Sequence, residues 1–228
     1  MSKVTIIIPI HNLFKRGLKR VVNSVYSLSL QKEYIEEIII VNSSVGTEYK
    51  ELEHLLRGFD VTHIHLPRMG FNKPFLLNVG IKRAKSEYIM CTDADYIFKS
   101  DFLKVCEELR GEKVMMHKRV KMLPNMRVSH TSIDNWKFPV RTYNIWGTLA
   151  NGACQYAHKD FFKEHLYPEE MDGFSAMDNI MTYIAYNNGL EIKWIKDSEI
   201  IHQHHRIESK MSGENRPAFD RDWETNVL

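Results

Sequence analysis

The sequence has no run of about 18 apolar residues, which excludes a helical membrane span. Its cysteines are only three, Cys91, Cys106 and Cys154, far apart and odd in number. That fits buried thiols in a reducing cytoplasm better than a disulfide framework. Net charge is almost absent: 31 Lys and Arg stand against 29 Asp and Glu, giving +2. Such a balance demands neither nucleic acid nor an anionic membrane as partner. Internal repeats and low-complexity stretches are also missing, so no linker divides the chain. Met1 to His11 is apolar but holds Pro9 and lacks a small-residue cleavage site. It reads as a strand, not a signal peptide.

What is present suits one sizeable core. The 228 residues are 43% hydrophobic and 26% charged, too little for two large independent domains. The expectation is a single domain over 1–208 and a charged, mobile tail over 209–228. Eleven histidines are many for this length, and His202, His204 and His205 crowd together.

Val4 to Ile10 is a β-branched run of the kind buried on both faces of a parallel sheet. Asn12 can cap the helix that follows, whose apolar stripe is Leu18, Val21, Val22, Val25 and Leu28. Ile38 to Val41 is a second buried run, stopped by Asn42-Ser43-Ser44. Tyr49 to Leu56 reads as a helix and Val61 to Leu66 as a strand ended by Pro67. Phe75 to Ala84 is helical, and Tyr88 to Cys91 is a fourth strand running into Thr92-Asp93-Ala94-Asp95. Ser100 can cap a helix over Asp101 to Leu109. Farther on, Val114 to Val120 and Ala150 to Ala157 read as strands, Asp160 to His165 and Met177 to Asn187 as helices. Ile192 to Ile195 reads as the final strand.

Strand–helix alternation through about residue 110 predicts an α/β chain with an open, mostly parallel sheet flanked by helices. Ligands of such sheets sit at the carboxyl ends of the strands. The loops after Ile10, Val41, Leu66 and Cys91 therefore share one rim.

On that rim, Asp93 and Asp95 are two carboxylates one residue apart. Unpaired they repel, and they gain most from a hard cation, Mn²⁺ or Mg²⁺, that keeps positions open for diphosphate oxygens. The alternative is a solvated surface turn. Arg68 and Lys73, between Leu66 and Phe75, are placed to meet a diphosphate or a sugar. His63 and His65 alternate on their strand and read as edge or packing residues. Lys113 to Arg127 is basic, with Trp136, Tyr143 and Trp146 downstream. It is either a solvated face with core aromatics or a platform for a sugar, phosphate or acidic glycan acceptor.

Ile7-Ile8-Pro9-Ile10-His11-Asn12 resembles the opening strand of family 2-type inverting glycosyltransferases, and Glu37 to Val41 resembles their second strand. Asn78-Val79-Gly80 with Ala84 is similar to their N-x-G-x-x-x-A helix, and Thr92 to Asp95 to their metal triplet. Asp172-Gly173-Phe174 with Asp178-Asn179 resembles the acceptor segment of chondroitin-polymerase-like and polypeptide-GalNAc-transferase-like members. Ile201-His202-Gln203 is similar to their late metal-binding histidine. The resemblance implies a GT-A (nucleotide-diphospho-sugar transferase) fold and inverting transfer from a nucleotide-sugar. It places the base near Pro9, Ile10, His11 and Asn42. Asp93 and Ala94 would face the donor, with Asp93 on the ribose or a metal water. Asp95 would coordinate the metal, with His202 or, alternatively, His204. Asn42-Ser43-Ser44 stands where members carry a base-reading Asp. An amide both donates and accepts, so uridine comes first and guanosine second.

Asp178 is the candidate general base, at the start of a helix whose dipole favours its ionised form. Its alternative is a plain helix cap. The expected acceptor is a hydroxyl on a glycan or glycoconjugate. The competing readings are transfer to a modified base in DNA, which makes nucleic acid a possible acceptor, and a sugar-nucleotide-binding protein without catalysis.

Overall fold

The computed structural model describes residues 2–13, 15–139, 153–170 and 177–204. The first half runs β1 (Val4–Ile10), α1 (Lys15–Ser29), β2 (Ile35–Asn42), α2 (Glu48–Leu55), β3 (Val61–His65), α3 (Lys73–Arg83) and β4 (Tyr88–Cys91). Then come β5 (Tyr96–Phe98), α4 (Phe102–Leu109), β6 (Val114–His117), β7 (Lys121–Met122) and α5 (His130–Asp134). The remainder is β8 (Gln155–His158), α6 (Lys159–Glu164), α7 (Met177–Asn187), β9 (Glu191–Trp194) and β10 (Ile200–His202).

The main sheet has seven strands in the order β3-β2-β1-β4-β8-β6-β9. All run parallel except β8, which is antiparallel to both its neighbours. The carboxyl ends of β1, β2, β3, β4, β6 and β9 therefore form one rim. Alternation along β1 explains the two-sided burial. Val4, Ile6, Ile8 and Ile10 pack with Leu18, Val21, Val25 and Leu28 of α1. Ile7 faces the other way, to Leu76, Leu77 and Ile81 of α3 and Met181 of α7. Helix α3 lies close on β1 because Gly80 has no side chain: a Cβ there would stand 2.4 Å from Ile7 Cγ2.

Strand order reverses between β1 and β4, and that is where the rim opens. Pairing of the two strands ends at Ile7–Cys91, after which Thr92 N–H donates to Ile7 C=O. Pro9 faces the same side as Ile7, beyond the end of this ladder. Its missing N–H therefore costs no strand pairing in the middle of a sheet.

Several expectations are corrected. Val114 to Val120 is strand only as far as His117; β7 follows at Lys121–Met122 and belongs to a different sheet. Ile192 to Ile195 is not the last strand, because β10 follows and forms a three-stranded sheet in the order β5-β10-β7. Asp101, not Ser100, holds the N-cap position of α4, and without a capping bond. Its carboxylate instead accepts from Ser198 Oγ and pairs with Lys99. The Asn12 side chain meets Val45 N–H and His11. Among the described residues, no helix is long and apolar enough to cross a membrane. The expected tail over 209–228, His205, Tyr143, Trp146 and Asp172-Gly173-Phe174 lie outside the described residues.

Candidate functional site

The short sheet brings His202 to the Asp93-Ala94-Asp95 triplet. Strand β5 starts directly after Asp95 and pairs antiparallel with β10, Tyr96 opposite His202. Gln203 N–H donates to Asp95 C=O at 2.9 Å. Across this register His202 Nε2 stands 3.2 Å from Asp95 Oδ2. The neighbouring Gln203 is an anchor: its Oε1 accepts from Asn23 Nδ2 and its Nε2 donates to Arg20 C=O, both on α1. His204, next along, is exposed.

Asp93 faces a different partner. Asn72 caps α3, its Oδ1 accepting from Phe75 N–H at 2.8 Å, with Pro74 in the first turn. This fixes Lys73 as the first helical residue, with its side chain only 10% exposed. Its Nζ lies 2.8 Å from Asp93 Oδ1 and 3.3 Å from Asp178 Oδ1. One ammonium thus joins the triplet of β4 to the first turn of α7. Burial opposes the charge on Lys73, but Asp178 and Asp93 outweigh it and raise its pKa. Burial pushes Asp93 up to about 6, with Asp178 and Asp95 adding to the push and Lys73 opposing it. The Asp93 side chain keeps 33% of its surface exposed, so crowding by like charges is the firmer cause.

Asp178 is 17% exposed and its main chain is gripped from below. Its carbonyl accepts from Gln155 Nε2 at 2.8 Å and from Thr182 Oγ1 at 2.6 Å. Tyr167 OH donates to Gln155 Oε1 at 2.5 Å, and His117 Nε2 is 3.1 Å from Thr182 Oγ1. Burial lowers the His117 pKa to about 4, although the Asp178 charge pulls the other way. Sequence reasoning did not single out Gln155, Tyr167 or Thr182, and used His117 only as part of a basic stretch. Asn78 of the N-x-G element proves to be a tie. Its Oδ1 accepts from Tyr167 N–H and its Nδ2 donates to Tyr167 C=O and to Glu169.

On the other side of the opening, the β1 and β2 loops are laced together. Ser43 N–H donates to Ile10 C=O, Ser44 Oγ accepts from Asn12 N–H, and His11 Nδ1 lies 2.9 Å from Ser43 Oγ. The His11 ring stacks on Phe71 at 5.8 Å, and burial lowers its pKa. Pro9 and Ile10 are buried. Asn42 is 1% exposed, with Oδ1 accepting from Ser44 N–H and Nδ2 3.3 Å from His63 Nε2. The structure therefore does not bring the Asn42 amide to the rim surface, where a base would meet it. Arg68 is exposed, its guanidinium 4.8 Å over the Phe75 ring. His63 and His65 sit on the edge strand β3 and pack as expected, His65 stacked on Tyr49 at 3.9 Å.

No three His, Cys, Asp or Glu side chains converge among the described residues. The Asp95–His202 pair is nevertheless a carboxylate oxygen and an imidazole nitrogen in contact, a donor set that suits Mn²⁺ better than Mg²⁺. A cation held by these two groups would keep most of its positions open to phosphate oxygens.

No curated protein matches the chain. Solved structures share its fold. TarS from S. aureus superposes with a TM-score of 0.65 at 21% identity, over 89% of this chain and 37% of that one. The mannosyltransferase PcManGT from Pyrobaculum calidifontis, solved with GDP-Man and Mn²⁺, gives 0.64 at 14%, over 88% and 56%. GalNAc-T7, solved with UDP, GalNAc and Mn²⁺, gives 0.65 at 13%, over 90% and 44%. The chain thus spans less than two thirds of the length of these proteins, and the likeness establishes the fold, which is GT-A. Residues 5–164 match the family described as glycosyl transferase family 2. With well over half of its length inside that match, the chain belongs to glycosyl transferase family 2.

Proposed function

We propose that this protein transfers a sugar from a nucleotide-sugar, a UDP-sugar in the first instance, to an acceptor hydroxyl on a glycan or glycoconjugate, with inversion. The observation that carries the proposal is the junction at the β1–β4 opening. Asp95 meets His202 there, and Lys73 joins Asp93 to Asp178. Asp95 and His202 would hold a divalent cation, Mn²⁺ for preference. When bound, that cation neutralises charge developing on the diphosphate leaving group. Asp93 and Ala94 face the donor from the turn between β4 and β5.

Lys73 is a buried, protonated cation on the donor side, suited to a phosphate or to a sugar hydroxyl. The base lies against the β1 and β2 loops, beside Pro9, Ile10 and the partly exposed His11, with Arg68 at the outer edge. Uridine is supported by the UDP-GlcNAc complex of a TarS fragment, 22% identical to this chain. Asp178 takes the proton of the acceptor hydroxyl as that oxygen attacks the anomeric carbon. Its carbonyl, held by Gln155 and Thr182, keeps the first turn of α7 in place. The catalytic unit is one domain within 1–208.

Thermal stabilisation by a panel of nucleotide-sugars, with and without Mn²⁺, tests the donor half. A ligand that binds only the folded state raises its apparent stability. UDP-sugars should stabilise the wild type only with metal present, and Asp95→Asn should lose that response while staying folded. Unchanged metal-dependent binding in Asp95→Asn rejects the assignment.

A further inference from the structure

Strands β6 and β9 deliver a second group of side chains to the rim. Arg119 follows β6 and is exposed, and its guanidinium lies 5.3 Å over the ring of Trp194, the last residue of β9. Trp194 packs on His117 with ring centroids 5.6 Å apart. His117 in turn touches Thr182, one turn along the helix from Asp178. The two chain segments are clamped to each other: Ile195 N–H donates to His117 C=O, and Lys118 Nζ donates to Ile195 C=O at 2.8 Å.

The Trp194 ring holds the Arg119 guanidinium as a cation–π partner while the side chain stays exposed. The other charges nearby are largely committed. Lys121 pairs with Glu199 and Lys193 with Glu191, while the charge of Asp197 acts on Lys118. Arg119 has no ion pair among the described residues, and Lys196 beside it is exposed. An exposed planar cation on an indole, linked through His117 and Thr182 to the helix that carries the candidate base, fits an anionic sugar whose oxyanion the guanidinium fork takes.

We propose that Arg119 and Trp194 form an acceptor subsite for a glycan carrying an anionic group, a carboxylate or a phosphate. This rests on the reading of Asp178 as the acceptor-side base. The test is binding of the full chain, with UDP and Mn²⁺, to an array of matched neutral, carboxylated and phosphorylated oligosaccharides. Anionic glycans should bind better than their neutral counterparts, and the stronger arm identifies the oxyanion. Arg119→Gln should lose that preference by about tenfold, with Arg119→Lys intermediate because it keeps the charge and loses the fork. Both variants should bind UDP as the wild type does. Anionic glycans bound no better than neutral ones by the wild type, or a preference kept by Arg119→Gln, overturns the proposal. Failure of the donor reading shows separately, as a wild type that no nucleotide-sugar stabilises.

Discussion

His202 Nε2 lies 3.2 Å from Asp95 Oδ2, although 107 residues separate them, because β5 and β10 pair immediately after the triplet. His204, two residues later, is exposed, and Gln203 between them is turned into α1. His202→Ala should therefore weaken Mn²⁺-dependent nucleotide binding by at least tenfold, since even outer-shell changes cost about 10–100-fold in metal affinity. His204→Ala should change it little. A calorimetric metal titration in the presence of UDP separates the two, and equal losses would move the ligand assignment away from His202.

Lys73→Met should destabilise the fold by about 2 kcal/mol or more. It leaves two partly buried carboxylates facing each other, and breaking a fully buried pair costs about 3–5 kcal/mol. The deficit should shrink at acid pH, where Asp93, its pKa pushed up to about 6, relieves the repulsion by protonation. Urea unfolding of wild type and variant at pH 8 and pH 5 reads both effects. A deficit that is the same at both pH values contradicts the like-charge explanation.

His117 gives a pH dependence of known sign. Its folded pKa of about 4 lies below the ordinary 6.5, so the unfolded chain binds the proton more readily. Its contribution is fully present above pH 6.5 and is lost as pH falls from there towards 4. At pH 5 the loss amounts to about 2 kcal/mol. His117→Gln should remove that part of the acid sensitivity, so its stability should fall less than the wild type's between pH 7.5 and pH 5. Parallel curves for the two proteins would show that His117 does not titrate there.

Gly80→Ala should cost about 1–3 kcal/mol through overpacking, because the new methyl would meet Ile7 in the middle of β1. Ile7→Ala should destabilise by leaving a cavity, and the two changes together should cost less than their sum. Strict additivity in denaturant unfolding would place the strain elsewhere.

The frame of the fold was legible because β1, β2 and β4 are buried on both faces and read as unbroken apolar runs. Helix α1 announced itself by a stripe every three or four residues. Strands β5 and β10 were not legible. Each is three residues long, and Tyr96 to Phe98 merges with the acidic loop before it. Losing β10 hid the reason His202 reaches Asp95. Asp93 and Asp95 stood out by following a buried strand in an α/β chain. The Lys73–Asp178 pair did not, because 105 residues lie between them and a surface lysine looks the same in sequence. Asn42 ends β2 at the rim, but nothing in Val41-Asn42-Ser43-Ser44 tells that Ser44 N–H and His63 engage its amide.

Asp178→Asn should abolish most transfer and spare donor binding. The amide keeps the size of the side chain, and the main-chain bonds from Gln155 and Thr182 do not involve the carboxylate. Lys73 keeps Asp93 as an anionic partner, so the fold should survive the exchange. What disappears is the proton acceptor beside the attacking hydroxyl. Loss of a general base lowers the rate by about 10²–10⁴-fold. Binding of UDP with Mn²⁺, followed by calorimetry, should stay close to wild type. Direct attack by the acceptor oxygen also inverts the anomeric centre, which NMR of the product reads at once. A product with the donor's own anomeric configuration contradicts direct displacement. Near-full activity of Asp178→Asn would instead leave Asp178 as the first-turn partner of Lys73 and direct the search for the base to Asp172.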